Sequence, residues 1–297
     1  MISPKVAIIV LNWNGRDCLH DCLISLSNLH YDRKDIIVVD NASTDGSYEE
    51  AKRSFPNYHF MTTGTNLGFA GGMNAGIRAA LERGADWCWL FNNDATAHPD
   101  SLNILIHHSF ALPQAGLLSP IIFDPQHESL WFGKAIIRFF RMRTEHVMPK
   151  DAELGLAHYS SPILTGCALL IRKEVFARIG FLDETFFLYY EDADFSLRAS
   201  QAGFGLSIVP QAIVQHKESS QSNPEKIYHL VRSGLIFFDR HTPWYIRPYL
   251  CIYATIRRTK NLIDRLLGRE EAFRVGQAYA DYYAEHPSLF AHIRQLR

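Results

Sequence analysis

What this chain lacks narrows its identity quickly. Its 297 residues include only five cysteines, Cys18, Cys22, Cys88, Cys167 and Cys251. The number is odd, no pair has metal-type spacing and four lie in apolar patterns, so they read as reduced residues of a cytoplasmic protein, not as a disulfide framework. No segment approaches the roughly 18 uninterrupted apolar residues that a membrane span needs. The opening MISPKVAIIVLNWNG has too short an apolar run for a signal peptide, and no small-residue cleavage site follows it. Net charge is nearly absent as well: 30 Lys and Arg against 31 Asp and Glu leave a formal −1. No global field therefore recruits nucleic acid, and any preference for an anionic surface must be local. A phosphate loop of the G-x-x-x-x-G-K-S/T kind is missing. The turn after the first apolar run is NWNGRD, not a dinucleotide fingerprint, which disfavours an oxidoreductase.

What is present is a regular alternation. Val6 to Leu11 reads as a buried strand, and Cys18, Leu19, Cys22, Leu23 and Leu26 then recur at helical spacing. Asp35 to Asp40 is a second strand and Tyr58 to Thr63 a weaker third. Gly72 to Gly84 is a helix with Met73, Ile77 and Leu81 on one face, and Trp87 to Phe91 is the fourth strand. Strand and helix alternating in this way predict an α/β fold with right-handed crossovers and a mainly parallel central sheet flanked by helices.

Parallel sheets bind ligands at the carboxyl ends of their strands. The predicted strands end in Asn12-Trp13-Asn14-Gly15, in Asp40-Asn41, near Asn66, and in Asn92-Asn93-Asp94. Such residues also serve ordinary turns, but four polar tips on one rim form a candidate crevice. The loop TNLGFAGGMN adds glycines 68, 71 and 72 before a helix start, which lets backbone approach a ligand and offers amides to an anion.

From about Leu164 the pattern changes. A strand to Ile171 and a short helix lead to the aromatic run Phe186-Phe187-Leu188-Tyr189-Tyr190, and then to the cluster Glu191-Asp192-Ala193-Asp194 opening another helix. Acidic residues suit a first helical turn electrostatically, yet aromatic walls beside carboxylates are also what sugar pockets use. A last strand, Gly205 to Val214, delivers Gln215-His216-Lys217. An Asp and a His from two strand tips can share one divalent ion with the oxygens of a diphosphate.

Taken together, VAIIVLNWNG, IIVVDNASTDGS, NLGFAGGMNAGI, WLFNNDA, GCALLIRKEVFARIGFLDETFFLYYEDADFSLRA and the trailing VQH resemble the inverting glycosyltransferases of family 2, with the GT-A fold. The resemblance runs from about residue 5 to 222 and looks closest to the bacterial rhamnosyltransferase-like and galactofuranosyltransferase-like branch. It implies a GT-A catalytic domain over 1–222, with a nucleotide-binding half to about 112 and an acceptor half over 113–222, followed by a helical C-terminal subdomain over 223–297. It implies a UDP- or dTDP-sugar donor, dTDP-rhamnose for example, a glycan or lipid-linked acceptor of the cell envelope, and Mn²⁺ or Mg²⁺. Asn12, Asn14 and Asp40 match the family's base pocket, while Asn66, Gly68, Gly71 and Asn74 match the loop beside nucleotide and phosphates. Asn92, Asn93 and Asp94 occupy the metal motif, with Asn92 where an acid is usual. That leaves Asp94 as the principal metal carboxylate, joined by His216. Asp192 matches the catalytic base, with Glu191 and Asp194 beside it. The rival from another class is a degenerate GT-A domain that binds a nucleotide sugar or glycan without transferring it.

Beyond this region, residues 243–267 mix Trp244, Tyr245, Tyr249 and Tyr253 with Arg247, Arg257, Arg258, Lys260 and Arg265. The pattern suits a helix on the anionic inner face of the cell membrane. It also suits a subdomain packed on the catalytic core or across a dimer interface.

Overall fold

A computed structural model describes residues 3–126, 129–217 and 224–286. The boundary expected between 222 and 223 lies outside the described residues. Val6–Asn12 (β1), Leu19–Ser27 (α1), Lys34–Asp40 (β2), Ser47–Ser54 (α2), His59–Thr62 (β3), Gly68–Glu82 (α3) and Trp87–Asn92 (β4) form the alternating first part. Ala95–Ala97 (β5), Ser101–Ala111 (α4), Ala115–Asp124 (β6), Ser129–Phe132 (β7), Ala135–Arg138 (β8), Arg143–His146 (β9), Asp151–Leu154 (α5) and Tyr159–Ser160 (β10) come next. Ala168–Arg172 (β11), Lys173–Ile179 (α6), Glu191–Gln201 (α7) and Gly205–His216 (β12) complete the sheet region. Three helices follow, Pro224–His241 (α8), Arg247–Leu266 (α9) and Glu270–Glu285 (α10).

The sheet order is β10-β12-β6-β11-β4-β1-β2-β3, with β5 on β12 and β7 on β6. β4, β1, β2 and β3 run parallel, as do β12 and β6, while β11 lies antiparallel between β4 and β6. Ile8, Ile9, Val10, Val38 and Val39 are fully buried, because helices cover both faces of a parallel sheet and leave no polar side to alternate with. Trp89 and Phe91 stack edge-to-face at 4.9 Å inside β4.

Two compact units are distinguished. The first contains the ten-stranded sheet, with the chain up to Ile136, His146–Thr185 and Glu191 through β12. The second contains Ile137–Glu145, Phe186–Tyr190 and the helices α8, α9 and α10. Within it α10 packs on α8 and α9, and the Ser233 hydroxyl donates to the Leu188 carbonyl at 2.8 Å. Among the described residues no helix is long and apolar enough to cross a membrane.

Candidate active site

Register alone aligns the polar strand tips. Asn12 lies opposite Asp40, Leu11 opposite Asn92, and Asp40 opposite Thr62. The rim expected from the sequence is therefore one continuous edge. Asn12 is fully buried there. Its amide nitrogen sits 3.1 Å from Asp40 Oδ1, 3.1 Å from Ser43 Oγ and 2.9 Å from Ser47 Oγ, and its Oδ1 accepts from Asn93 Nδ2 at 3.1 Å. Both ends of this amide are used inside the protein, so Asn12 positions Asp40 and Asn93. Gly15 leaves the room, since a Cβ there would collide with Asn12 Oδ1 and Asn93 Nδ2. Asp40 Oδ2 accepts the Ser43 N–H at 3.1 Å. A carboxylate oxygen accepts two hydrogen bonds, so capacity for a ligand N–H is left. Exposed Asn14 takes a left-handed backbone, φ 52°, and its Oδ1 accepts the Thr44 N–H at 2.8 Å.

Asn41 organises the next loop. Its Nδ2 donates to Asn66 Oδ1 at 2.9 Å and to the Gly68 carbonyl at 3.0 Å, and its Oδ1 accepts the Leu67 N–H at 2.9 Å. Gly68 turns the chain into α3 at φ 72°, where a side chain would be strained. Here the structure departs from the sequence expectation, because α3 begins at Gly68 and not at Gly72. Gly71 and Gly72 accordingly lie within the helix. A Cβ on Gly71 would meet Leu67 Cβ at 2.7 Å, and one on Gly72 would collide with Leu11. Their close approach is to the protein's own side chains, not to a ligand. Asn74 is likewise turned elsewhere: buried, it donates to the Leu182 carbonyl and Glu184 Oε1, both at 2.9 Å, and accepts the Leu182 N–H. It ties down the loop before the aromatic run, because position 74 lies nearly two turns into the helix.

At the tip of β4, Asp94 Oδ1 lies 3.0 Å from His216 Nε2, and the Asn92 amide lies 3.4 Å from that nitrogen. These residues are far apart in sequence. Antiparallel pairing of β12 with β5 sets His216 opposite Ala95 and thereby beside Asp94. β12 runs on through His216, two residues beyond the predicted end. Burial lowers the His216 pKa, but Cys167 and the Asp94 carboxylate outweigh it and raise it to about 11. The Trp131 ring stacks on His216 at 4.4 Å and on His146 at 5.0 Å.

The acidic cluster separates into three roles. Asp192 Oδ2 accepts the Gly166 N–H at 2.9 Å and Oδ1 accepts the Ala193 N–H at 2.7 Å. Burial raises its pKa against the opposing pull of those two amides and of His146. Glu191 is 5 % exposed with its Oε2 unpartnered, and burial together with the Asp192 charge raises it well above the usual carboxylate range. Asp194 points away: it pairs with Arg198 Nε at 2.7 Å, and the same guanidinium donates to the Ile179 and Phe181 carbonyls. It therefore clamps α7 to the end of α6 instead of joining Asp192, because side chains two residues apart on a helix do not share a face.

One short segment, missed from the sequence, joins these parts. Gly166 holds Asp192, the Cys167 carbonyl accepts the Asn92 N–H at 2.9 Å, and Cys167 flanks His216. In the sequence the only trace is a small-residue step, Thr165-Gly166-Cys167, interrupting an apolar run. Trp131 and His146 left no distinctive signal, since their roles come from tertiary contacts. Among the described residues no group of three or more His, Cys, Asp and Glu side chains is gathered to hold a metal. The Asp94 and His216 donors nevertheless suit a divalent ion that would displace the His216 proton and take its remaining ligands from diphosphate oxygens and water, as Mn²⁺ and Mg²⁺ sites commonly do.

The chain is similar to several known proteins. N-acetylglucosaminyl-diphospho-decaprenol L-rhamnosyltransferase of Mycobacterium tuberculosis is 28% identical over 303 residues, covering 87% of this chain and 96% of that protein. The dTDP-rhamnosyl transferase RfbF of Shigella flexneri is 24% identical over 237 residues, covering 75% of this chain and 77% of that one. The mannosyltransferase PcManGT of Pyrobaculum calidifontis, determined with GDP-Man and Mn²⁺, superposes with a TM-score of 0.60 at 18% identity, over 100% of this chain and 81% of that one. Residues 7–180 match the sequence pattern of glycosyl transferase family 2. With that match extending over more than half its length, and with the strand-tip rim and sheet of the GT-A fold, the chain belongs to glycosyl transferase family 2 and is a glycosyltransferase.

Proposed function

We propose that the enzyme moves a sugar from a UDP- or dTDP-sugar, such as dTDP-rhamnose, to a glycan or lipid-linked glycan acceptor, with inversion at the anomeric carbon. The observation that carries this reading is the convergence on Gly166 and Cys167: one amide holds the Asp192 carboxylate, and the next residue holds Asn92 and flanks His216. A base and a pole for the leaving group are thus built on one rigid step. Asp192 takes the proton of the acceptor hydroxyl, whose oxygen attacks the anomeric carbon. The bond from that carbon to the diphosphate breaks on the opposite face, and its electron pair leaves with the nucleoside diphosphate. Asp94 and His216 would hold the Mn²⁺ or Mg²⁺ that, when bound, neutralises charge on the departing diphosphate. Asp40 accepts the imide N–H of uracil or thymine, with Asn12, Asn14, Asn66, Gly68 and Asn93 shaping the rim. Residues 1–112 serve the donor and 113–222 the acceptor, with 223–297 as a helical subdomain. The names of the two relatives, both rhamnosyl transferases and one of them naming a decaprenol-linked sugar, support the donor class and a lipid-linked acceptor.

A non-catalytic nucleotide-sugar binder is the second reading. It is favoured by Asn92, which adds no charge, and by the ion pair that already joins Asp94 to His216 at 3.0 Å. Single-turnover transfer from dTDP-rhamnose or a UDP-sugar to a polyprenyl-diphosphate sugar separates the two readings. Product formed by the wild type and reduced about 10²- to 10⁴-fold in Asp192→Asn supports transfer with a general base. Tight nucleotide binding with no product from any donor supports the binder.

A further inference from the structure

Helix α9 carries an exposed apolar stripe. Ile252, Ile256, Ile263 and Leu266 fall at spacings of three and four residues, with Thr259 completing the series, so they share one side of the helix, while Tyr249 at its start is held by Phe140 of the same unit. Ile252 is 62 % exposed, Ile256 61 % and Leu266 81 %, and Trp244, 77 % exposed, stands just before the helix. Leu250, Ala254 and Asn261, on the opposite side, are buried, and Asn261 Nδ2 donates to the Ala272 carbonyl of α10 at 2.9 Å. The packing of α9 is therefore already made on its other face.

Charge selects the occupant of the free one. The chain as a whole has a formal charge of −1, yet Arg257, Arg258, Lys260 and Arg265 form no ion pair with a carboxylate among the described residues. The single acid of α9, Asp264, is taken by Arg269 at 2.9 Å. Lys260 lies at the margin of the stripe and the three arginines nearer α10, where Arg258 and Arg265 line a groove of about 460 Å³. A second copy seated on the stripe would supply no acid to these cations, since Asp264, the single acid of its own α9, is already paired. An anionic bilayer supplies one. A helix whose apolar side sinks ~5–10 Å into the interface sets the cations on its far side near the level of the lipid phosphates, which long Arg and Lys stems can reach.

We propose that the α9 stripe docks the protein on an anionic lipid bilayer. The proposed function supplies only the reason for such a surface. The test needs neither donor nor acceptor, so failure of one is distinguishable from failure of the other. Full-length protein is sedimented with vesicles of phosphatidylcholine alone and of phosphatidylcholine containing phosphatidylglycerol. Binding is expected to the mixed vesicles only, and to fall as salt shortens the screening length from ~8 Å at 0.15 M to ~3 Å at 1 M. Arg257→Gln with Lys260→Gln should weaken it roughly tenfold or more, each cation being worth ~1 kcal/mol near such a surface. Ile256→Ser with Ile263→Ser should abolish it while circular dichroism stays unchanged. Equal binding to both vesicle types that ignores salt would overturn the proposal. So would absent vesicle binding together with a dimer, seen by sedimentation velocity, that Ile256→Asp dissociates. Should a variant misfold, the lipid and salt dependence of the wild type still decides.

Discussion

At the scale of single residues the site divides by what each carboxylate faces. Asp192 accepts two backbone N–H groups and still has its pKa raised by burial, so its proton is lost only above the usual Asp range. In the proposed reaction kcat/KM should rise with pH through that raised value and then level off, since the protonated form cannot accept a proton. Asp192→Asn should remove the limb from its residual, much slower turnover, which a pH profile of the two proteins checks. Glu191 affects stability. Its folded pKa lies well above the ordinary 4.5, so the folded chain holds this proton more tightly than the unfolded one. The stability it contributes is complete below pH 4.5 and is lost as pH rises toward the folded value. Melting temperatures between pH 4 and 8 should therefore fall less steeply for Glu191→Gln than for the wild type, a comparison the assignment fails if the slopes coincide. Asp194 is 3 % exposed and paired with Arg198. Breaking such a buried pair costs about 3–5 kcal/mol. Asp194→Asn should thus lower the denaturation midpoint strongly while leaving turnover per folded molecule near normal.

Elements set those residues in place, and α3 shows how. Its glycines read in the sequence as a loop pliable enough to wrap a ligand, because glycine clusters and helix starts share composition. The structure uses them for contact between helix and sheet: a Cβ on Gly76 would collide with Ile9 and meet Val39 Cγ2 at 2.8 Å. In Gly76→Ala the gain of ~1 kcal/mol in helix propensity is opposed by overpacking of typically ~1–3 kcal/mol. A net loss of stability on urea denaturation is the expected outcome, because the neighbours belong to two buried strands and have little room to shift. The start of α7 is similarly determined by backbone. Tyr189 and Tyr190 both adopt φ 68°, a costly conformation for aromatic residues, immediately before Glu191 and Asp192. Propensity reading sees an aromatic run there and cannot see the turn.

For the whole molecule, ligand linkage gives the measurable consequence of the rim. If Asp94 and His216 complete a donor site with a bound metal, a nucleoside diphosphate at about 100 times its Kd should add ~2.7 kcal/mol to the sheet unit's stability. Most of that gain should require Mn²⁺. In Asp94→Ala the apo melting temperature should fall, since buried His216 loses its partner, and the further Mn²⁺-dependent gain should vanish from thermal melts with UDP or dTDP. An unchanged Mn²⁺ effect would remove Asp94 from the metal site.

The local pattern was enough to determine much of this protein. Buried strands such as IIVVD and WCWLFN announce themselves by continuous apolar runs, and the order of strands and helices dictates a parallel sheet whose tips share an edge. Those constraints act between near neighbours or through the chirality common to all crossovers, so they are legible in one dimension. Which polar tips face a ligand was decided only in three dimensions. Asn12, Asn74 and Asp194 look as functional in the sequence as Asp40 and Asp192, yet their side chains are used up on Asp40, Leu182 and Arg198. The Asp94–His216 pair and the Gly166–Asp192 bond likewise depend on long-range pairing, β12 on β5 and α7 on the start of β11. A short polar side chain reaches its partner only if two distant segments meet in one register. That register is set by the packing of the whole sheet, not by the residues on either side of it.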